Sequence, residues 1–273
     1  MFTAKTIIIT GGGSSGVGEK LARRLVRRGA RLALVARDKK KLENVRASLL
    51  SEAPQNQQVA AFSCDVADPR AVTETVARIK DTLGPPDILI NSAGILTEGY
   101  FENQDLETFR RVMDINFFGT LHCIQAVLPY FKKNGGGRIV NICSVAGLMG
   151  VFGYSAYCAS KHAVAGLTAA LRIELTHQNI IVHIVLPPEF DSPMVDAVNL
   201  YRSPENRAMA HTLPVLSAGQ VADEIIAGIE KNRYEIIPGL ATRIMTRFEK
   251  LFPGMGRSVV DFKIRRIYKG PGH

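Results

Sequence analysis

The sequence is poor in cysteine and has no apolar segment long enough to cross a membrane. Its four cysteines among 273 residues include no C-x-x-C pair, and no histidine spacing accompanies them as in a zinc site. We therefore expect no metal site and no disulfide framework, but reduced thiols that pack as small apolar residues. The N-terminus runs directly into a strand pattern, without the apolar stretch of a signal peptide. The cytosol is the expected compartment.

The sequence also lacks an evenly spread positive charge. The net charge is +9, but residues 240–273 contain 8 Lys/Arg against 2 Asp/Glu, whereas the rest contains 26 against 23. No basic stripe interleaved with aromatic residues and no nucleic-acid-binding module is present. We therefore expect no nucleic acid as a partner.

Seven short apolar runs alternate with amphipathic segments of about ten residues or more, the length of helical crossovers. The runs cover residues 6–10, 31–36, 59–63, 87–91, 138–143, 181–186 and 234–237. Their nearly continuous apolar character is typical of parallel strands covered on both faces. The pattern predicts an α/β fold, a doubly wound parallel sheet of the Rossmann type with about seven strands and helices on both faces.

The predicted organisation is one dinucleotide-binding catalytic domain over residues 1–239, followed by a basic amphipathic extension over 240–273. Residues 187–218 are rich in proline and have no clear period. They are predicted to be a long connection, and connections of that length often form lids or substrate loops.

A glycine-rich loop, GGGSSGVG, joins the first strand to the first helix. Glycines permit the tight turn and the close backbone approach that a pyrophosphate requires, and the following helix presents free N–H groups to the anion. At the end of the second strand, Arg37 is placed to bind the 2′-phosphate of NADP(H). Asp38 leaves NAD(H) open as an alternative. Three lysines follow, and this supply of cations favours NADP(H), with Ser14 or Ser15 as hydroxyl partners.

Tyr157 and Lys161 lie four residues apart in the helical segment 155–176, so they share one helix face. A free tyrosine has a pKa of about 10, and a neighbouring ammonium lowers it towards neutrality. The pair is a candidate proton-transfer site, although a Y-x-x-x-K spacing taken alone is common and gains weight only from the other motifs.

These motifs together resemble the short-chain dehydrogenase/reductase family over residues 6–239. The resemblance includes the glycine-rich loop, Asp65-Val66, N-S-A-G at 91–94, Asn116, Ser144, the Y-x-x-x-K motif and Pro187-Pro188. Several independent motifs in the family's order make chance coincidence very small.

The resemblance implies a role for each matched position. Tyr157 is the proton donor in carbonyl reduction, Lys161 tunes it and holds the nicotinamide ribose, and Ser144 binds the substrate oxygen. Asn116 holds a water in a proton relay. The implied cofactor contacts are Gly12, Ser14, Ser15, Gly16, Val17, Gly18, Arg37, Asp65, Val66, Asn91, Ala93, Gly94, Tyr157, Lys161, Pro187 and Ser192.

Alternatives remain for single positions. Asn116 and Asn91 are also interpretable as structural residues that bridge backbone groups, and Ser144 as an ordinary strand-end hydroxyl. The glycine loop is one residue longer than the family's T-G-x-x-x-G-x-G. Counting back from the helix makes Gly12 the first motif glycine and puts Gly11 where threonine usually stands.

Several segments, among them LPPEFDSPM and GVFGYSAYCASK, are similar to the 3-ketodihydrosphingosine reductases within this family. That similarity implies NADPH-dependent reduction of a long-chain 3-keto amine, a lipid-like substrate. Reductases of 3-oxoacyl thioesters and hydroxysteroid dehydrogenases are the alternatives. A non-catalytic NADP sensor or scaffold is the alternative of another class, but such a protein often loses Tyr157, Lys161 or Ser144. The family resemblance also implies a homodimer or homotetramer.

Apolar residues recur at helical spacing over 244–252 and again over 260–268, with arginines and lysines between them. Two interpretations stand side by side. These basic amphipathic helices either lie in a membrane interface, as a peripheral contact, or cover the substrate pocket or a subunit contact.

Overall fold

The protein is built around a parallel sheet of seven strands. The computed structural model describes residues 1–13, 16–53, 57–210 and 213–268. Its strands are β1 (Thr6–Thr10), β2 (Arg31–Ala36), β3 (Val59–Ser63), β4 (Ile88–Asn91), β5 (Gly137–Ile142), β6 (Ile180–Val185) and β7 (Glu235–Ile236). Their order is β3-β2-β1-β4-β5-β6-β7, and every neighbouring pair is parallel. The predicted doubly wound sheet is confirmed, and the strand order reverses between β1 and β4, where such folds bind ligands.

Helices cover both faces of the sheet. They are α1 (Val17–Val26), α2 (Lys39–Glu52), α3 (Pro69–Leu83), α4 (Leu106–Met113), α5 (Gly119–Lys133), α6 (Ser155–Glu174), α7 (Pro193–Asn199), α8 (Pro204–Ala210), α9 (Ala218–Glu230), α10 (Leu240–Leu251) and α11 (Pro253–Ile267). Successive side chains of a strand point to opposite faces. Along β1, Ile7 and Ile9 therefore enter one apolar core with α1 and α9, whereas Ile8 enters the other with α3 and α5.

The strands begin and end within one residue of the predicted runs, but the prediction for residues 187–218 is wrong in part. This region contains α7 and α8 rather than an irregular connection. Pro193 and Pro204 each begin a helix. Proline has no N–H, and the N–H at the first helical position has no partner within the helix, so proline is tolerated there. Ser192 caps α7 by accepting a hydrogen bond from the N–H of Val195 at 3.3 Å.

The C-terminal residues form α10 and α11, and α10 is bound to the core of the fold. Arg243 pairs with Glu224 of α9 at 3.3 Å, and Lys250 pairs with Glu235 of β7 at 2.6 Å. None of the helices that the structure describes is long and apolar enough to cross a membrane.

Candidate active site

The first part of the site is the turn after β1. The hydroxyl of Thr10 accepts hydrogen bonds from the N–H groups of Ser92 and Ala93, both at 3.0 Å, and so joins the ends of β1 and β4. Gly11 has a φ of +70°, and a Cβ there would lie 2.9 Å from the carbonyl oxygen of Ser92. Both the backbone conformation and the lack of space require glycine at this position.

This geometry corrects the assignment of the motif glycines. Gly11, and not Gly12, is the glycine of the tight turn, so Thr10 stands where the family has its threonine. Gly12 is buried against Leu34 and does not line the cavity described below. The additional residue of the loop therefore falls between Gly11 and Gly16. The predicted contacts Ser14 and Ser15 lie outside the described residues.

The start of α1 fits an anionic group. Gly16, Val17 and Gly18 line the cavity, and Gly16 is an N-cap whose position offers no side chain to the helix. A Cβ on Gly18 would lie 2.9 Å from the carbonyl oxygen of Gly11, so the turn and the helix are in direct backbone contact. A helix N-terminus without a capping side chain favours a phosphate, because its N–H groups and its dipole both attract negative charge.

Arg37 and Asp38 lie side by side just before α2, but they differ in their contacts. The carboxylate of Asp38 accepts a hydrogen bond from the N–H of Lys41 at 3.0 Å and caps this helix. Arg37 is exposed, and its guanidinium has no hydrogen bond or salt bridge within the described part of the chain. The cation, and not the carboxylate, is thus available to a ligand at this end of the sheet.

Besides Gly12, four described predicted cofactor contacts lie outside the cavity lining: Arg37, Asp65, Val66 and Asn91. Asp65 is exposed and accepts a hydrogen bond from the N–H of Ala67 at 3.0 Å, while Val66 packs under Gly119. Asn91 is buried and donates a 2.9 Å hydrogen bond to Asn141. For Asn91 this contact agrees with the structural interpretation, since its amide joins β4 to β5.

The catalytic candidates meet at the carboxyl ends of β4 and β5. Ser144 follows β5, and its hydroxyl hydrogen-bonds the phenol of Tyr157. Lys161 is one turn further along α6, and its ammonium nitrogen lies 5.5 Å from the centroid of the Tyr157 ring. The same ammonium donates to the carbonyl oxygen of Ile142 at 3.0 Å. The structure therefore brings these three predicted residues together.

Burial sets the protonation of this group of side chains. It raises the pKa of the Tyr157 phenol well above its usual value, and the hydrogen bond with Ser144 offsets this only in part. Burial also lowers the pKa of the Lys161 ammonium. Within the protein alone the pKa of Tyr157 therefore moves upward, opposite to the direction expected from Lys161, because burial removes water from the phenol.

Asn116 lies in a π-helical turn, residues 114–118, between α4 and α5. Such turns are rare and recur at functional sites. Its amide nitrogen donates to the carbonyl of Ile95 and to the hydroxyl of Ser160, both at 3.0 Å, and its oxygen accepts from the N–H of Ile95 at 2.8 Å. These contacts correspond to the bridging role considered for Asn116 from its sequence position.

Ser160 is a functional residue that sequence inspection missed. It is fully buried, and its hydroxyl donates to the carbonyl oxygen of Tyr157 at 2.7 Å while accepting from Asn116. It thereby connects the loop after β4 to the first turn of α6. Its place directly before Lys161 was a signal, but only the fold reveals its partner.

One cavity of about 1310 Å³ joins these parts. It extends from the glycine turn past Ala93, Gly94, Ser144, Tyr157 and Lys161 to Pro187 and Ser192. Beyond them its walls become apolar, with contributions from α7, α8, α10 and α11. The apolar lining includes Met149, Val151, Phe152, Met194, Met209, Leu213, Met245, Phe248, Val260 and Ile264. The volume exceeds that of a typical single-ligand pocket, which is about 300–1,000 Å³.

The C-terminal helices close the far end of this cavity. Tyr268, just after α11, hydrogen-bonds the buried carboxylate of Glu205 in α8, which also accepts from Tyr100 at 3.0 Å. The bond to Glu205 raises the pKa of Tyr268 to about 12. The interpretation in which the tail covers the pocket is therefore confirmed for its lining residues.

The four cysteines and three of the histidines are accounted for by packing and backbone contacts. Cys64, Cys123, Cys143 and Cys158 are buried free thiols, and the described residues contain no cluster of potential metal ligands. His122, His162 and His183 bond backbone carbonyls.

Comparison with known proteins agrees with this geometry. The family model described as short chain dehydrogenase matches residues 5–202. The 3-ketodihydrosphingosine reductase of Dictyostelium discoideum is 35% identical over 252 residues, which cover 87% of this chain and 75% of that protein.

Two solved structures show the same fold. A short-chain dehydrogenase from Sphingobium yanoikuyae in complex with NADPH is 31% identical, with a TM-score of 0.78 over 94% of this chain and 95% of that one. A short-chain dehydrogenase/reductase from Burkholderia phymatum in complex with NAD has a TM-score of 0.82 over 93% and 96%, at 24% identity.

Proposed function

This chain belongs to the short-chain dehydrogenase/reductase family, and we propose that it uses NADPH to reduce the 3-keto group of a long-chain substrate such as 3-ketodihydrosphingosine. The family's enzymes are oxidoreductases that act on carbonyl and hydroxyl groups with a nicotinamide cofactor. One observation carries the proposal beyond the family. A single cavity extends from the glycine turn, past Tyr157, into an apolar section. Residues of the two C-terminal helices, α10 and α11, line that section.

The residues of the site divide the chemistry among them. When bound, the reduced nicotinamide supplies a hydride to the carbonyl carbon. Tyr157 donates a proton to the carbonyl oxygen, and its raised pKa keeps the phenol protonated for this purpose. Ser144 hydrogen-bonds that oxygen and stabilises the negative charge that develops on it. Lys161 provides a buried positive charge 5.5 Å from the tyrosine ring.

The cofactor is held by backbone and side chains together. The N-terminus of α1 binds the pyrophosphate, and the turn at Gly11 brings the backbone close to it. Arg37 binds the 2′-phosphate of NADPH, since its guanidinium is exposed and Asp38 is engaged as a helix cap. The NADPH-bound relative from Sphingobium yanoikuyae supports this preference.

The apolar section of the cavity binds the hydrocarbon chain. Phe152, Met209 and Phe248 come from three separate elements and provide adaptable apolar contacts. Burial contributes about 0.8 kcal/mol for each methylene group. A substrate shortened by four methylenes should accordingly bind about two-hundredfold more weakly, since about 3.2 kcal/mol of burial is lost.

The exposed face of α10 and α11 suggests where in the cell the protein works. Along α10 the two fully buried side chains are Thr242 and Thr246, whereas Leu251 is 73% exposed, and on α11 Phe262 is 65% exposed. Arginines and lysines lie among these exposed apolar residues. We propose that this face rests on an anionic lipid surface, because both its apolar area and its charge suit a membrane interface. A lipid substrate would then meet the cavity at its C-terminal wall.

An NADPH-oxidation assay tests the proposed reaction. The substrates are 3-ketodihydrosphingosine, a 3-oxoacyl thioester of equal chain length and a keto-steroid. We expect kcat/KM to be at least about tenfold higher for the first, a difference of 1.4 kcal/mol in transition-state binding. Turnover of the thioester or steroid with no turnover of the amino ketone would overturn the substrate assignment and leave the carbonyl reductase assignment intact.

A further inference from the structure

Glu189 lies in the wall of the cavity near the catalytic hydroxyl of Ser144. Its side chain is 23% exposed, and it follows the Pro187-Pro188 pair after β6. The carbonyl of Pro187 accepts a hydrogen bond from the N–H of Val145 at 3.1 Å, and Val145 is the neighbour of Ser144. Two Cα–Cα steps of about 3.8 Å place the Glu189 Cα within about 8 Å of the Pro187 Cα. The backbone of Glu189 therefore lies beside the catalytic end of the cavity that the residue lines.

Arg202 holds this carboxylate from the protein side. Its two terminal nitrogens donate to the two oxygens of Glu189 at 3.2 and 2.7 Å, and one of them also lies 3.4 Å from the hydroxyl of Tyr154. The arginine side chain is only 3% exposed. A bidentate pair occupies one side of each carboxylate oxygen and fixes the plane of the group. The remaining lone pairs face away from Arg202, and within the described residues no other donor contacts this carboxylate.

The backbone around Glu189 is also held. Its carbonyl accepts a hydrogen bond from the N–H of Leu216 at 3.4 Å, and the N–H of Asp191 donates to the carbonyl of Leu216 at 3.0 Å. This short ladder joins the start of the substrate loop to its end. The carboxylate is thus set on a fixed segment, as a specific ligand contact requires.

Glu189 is the acidic residue at the catalytic end of the cavity among the described lining residues. Among the described lining residues, the remaining acids, Glu249 and Asp261, lie on α10 and α11 at the far end. Lys161 at the catalytic end donates to a backbone carbonyl. A carboxylate beside an apolar cavity is costly unless it has charged partners. Arg202 is one such partner, and an uncharged ketone would add none on the cavity side.

We propose that Glu189 binds the ammonium group of the substrate, so that the site selects long-chain ketones with a cationic amine next to the carbonyl carbon. The proposal rests on the proposed function and names the feature by which its substrate is chosen. With the carbonyl oxygen at Tyr157 and Ser144, an amine on the adjacent carbon lies at the same end of the cavity as Glu189. Arg202 is the positioning residue that keeps the carboxylate oriented.

The test compares wild-type enzyme with Glu189→Gln, which keeps the size of the side chain and removes its charge. The first readout is kcat/KM with NADPH for a long-chain 2-amino-3-ketone and for the 3-ketone of equal length without the amine. We expect the variant to lose about tenfold to a hundredfold on the amino ketone, mainly through KM, and less than about threefold on the plain ketone. Equal losses on both substrates would overturn the proposal.

The second readout is binding of dodecylamine and of 1-dodecanol to the enzyme with NADPH bound, measured by calorimetry. Wild type should bind the amine at least about tenfold more tightly than the alcohol, and Glu189→Gln should bind both alike. Equal binding by wild type would reject the ammonium site without reference to catalysis. Selective amine binding without turnover of any long-chain ketone would instead reject the proposed function and support the site.

A substrate-side control covers the case in which Glu189→Gln does not fold. N-acetylation of the amino ketone removes the positive charge from the ligand and leaves the wild-type enzyme unaltered. Turnover should fall by about tenfold or more relative to the free amine. Undiminished turnover of the acetylated ketone would contradict the proposal.

Discussion

The side-chain amide of Asn116 donates a hydrogen bond of 3.0 Å to the hydroxyl of Ser160. Ser160 passes this contact to the carbonyl of Tyr157, and Asn116 also bonds both backbone groups of Ile95. One buried side chain thus fixes the loop after β4 against the first turn of α6. Asn116 acts through its neighbours and is a positioning residue in this structure.

Asn116→Ala should destabilise the protein by about 2 kcal/mol, because it leaves the partly buried N–H and carbonyl of Ile95 without their partner. Urea denaturation measures this loss. In the same variant kcat should fall more than KM rises, since Tyr157 loses its indirect support. Asn134→Ala on the surface is the matched control and should change stability by less than about 0.5 kcal/mol. Equal stability of the two variants would contradict this role.

Tyr157→Phe should lower kcat by about a thousandfold, because it removes the proton donor while keeping the ring. NADPH binding, followed by fluorescence titration, should stay within about twofold of wild type. The matched control is Tyr130→Phe on α5, which lies outside the cavity lining and should retain most of the activity. Substantial turnover by Tyr157→Phe would overturn the assignment.

The raised pKa of Tyr157 predicts the pH dependence of each direction. Reduction needs the protonated phenol, which is fully present below its pKa and is lost as the pH rises through it. Oxidation needs the phenolate and gains with rising pH. The rate of carbonyl reduction, measured under saturating cofactor, should therefore be flat from pH 6 to pH 8 and decline only in alkaline solution, whereas alcohol oxidation should increase across that range. A decline of the reduction rate within neutral pH would show that burial does not control this group.

Arg37→Ala should raise the KM for NADPH by more than about tenfold and leave that for NADH within about twofold, because a bond to a charged phosphate contributes about 1.5–3 kcal/mol. Arg27→Ala is the control, since it removes another exposed arginine, paired with Glu52. The KM values for the two cofactors, measured with one carbonyl substrate, decide the question. Equal losses for both cofactors would place the phosphate elsewhere.

Leu251→Glu combined with Phe262→Glu should abolish flotation with vesicles of phosphatidylcholine and phosphatidylglycerol, because it adds negative charge to the exposed face of α10 and α11. Wild type should float, and less so in high salt. Leu50→Glu on α2, near the opposite edge of the sheet, is the control and should float as wild type does. Wild type that stays at the bottom of the gradient would remove the membrane proposal.

Much of the fold followed from local patterns. The run TIIIT and its six counterparts predicted the strands because parallel strands buried on both faces are apolar throughout. The proposed catalytic pair, Tyr157 and Lys161, followed from a spacing of four residues on a helix together with the other motifs of the family. The prolines of residues 187–218 concealed α7 and α8, since proline also begins helices.

The sequence by itself determined the family, the sheet and the identity of Tyr157, Lys161 and Ser144, because these depend on periodicity and on residue types at short range. Tertiary structure decided what depends on distant contacts. It moved the turn glycine from Gly12 to Gly11, where the backbone of Ser92 leaves no space for a side chain. It reversed the expected pKa shift of Tyr157, because burial is a property of the packed fold. It also placed Glu189 against Arg202, and no sequence pattern predicts a pairing between residues thirteen positions apart.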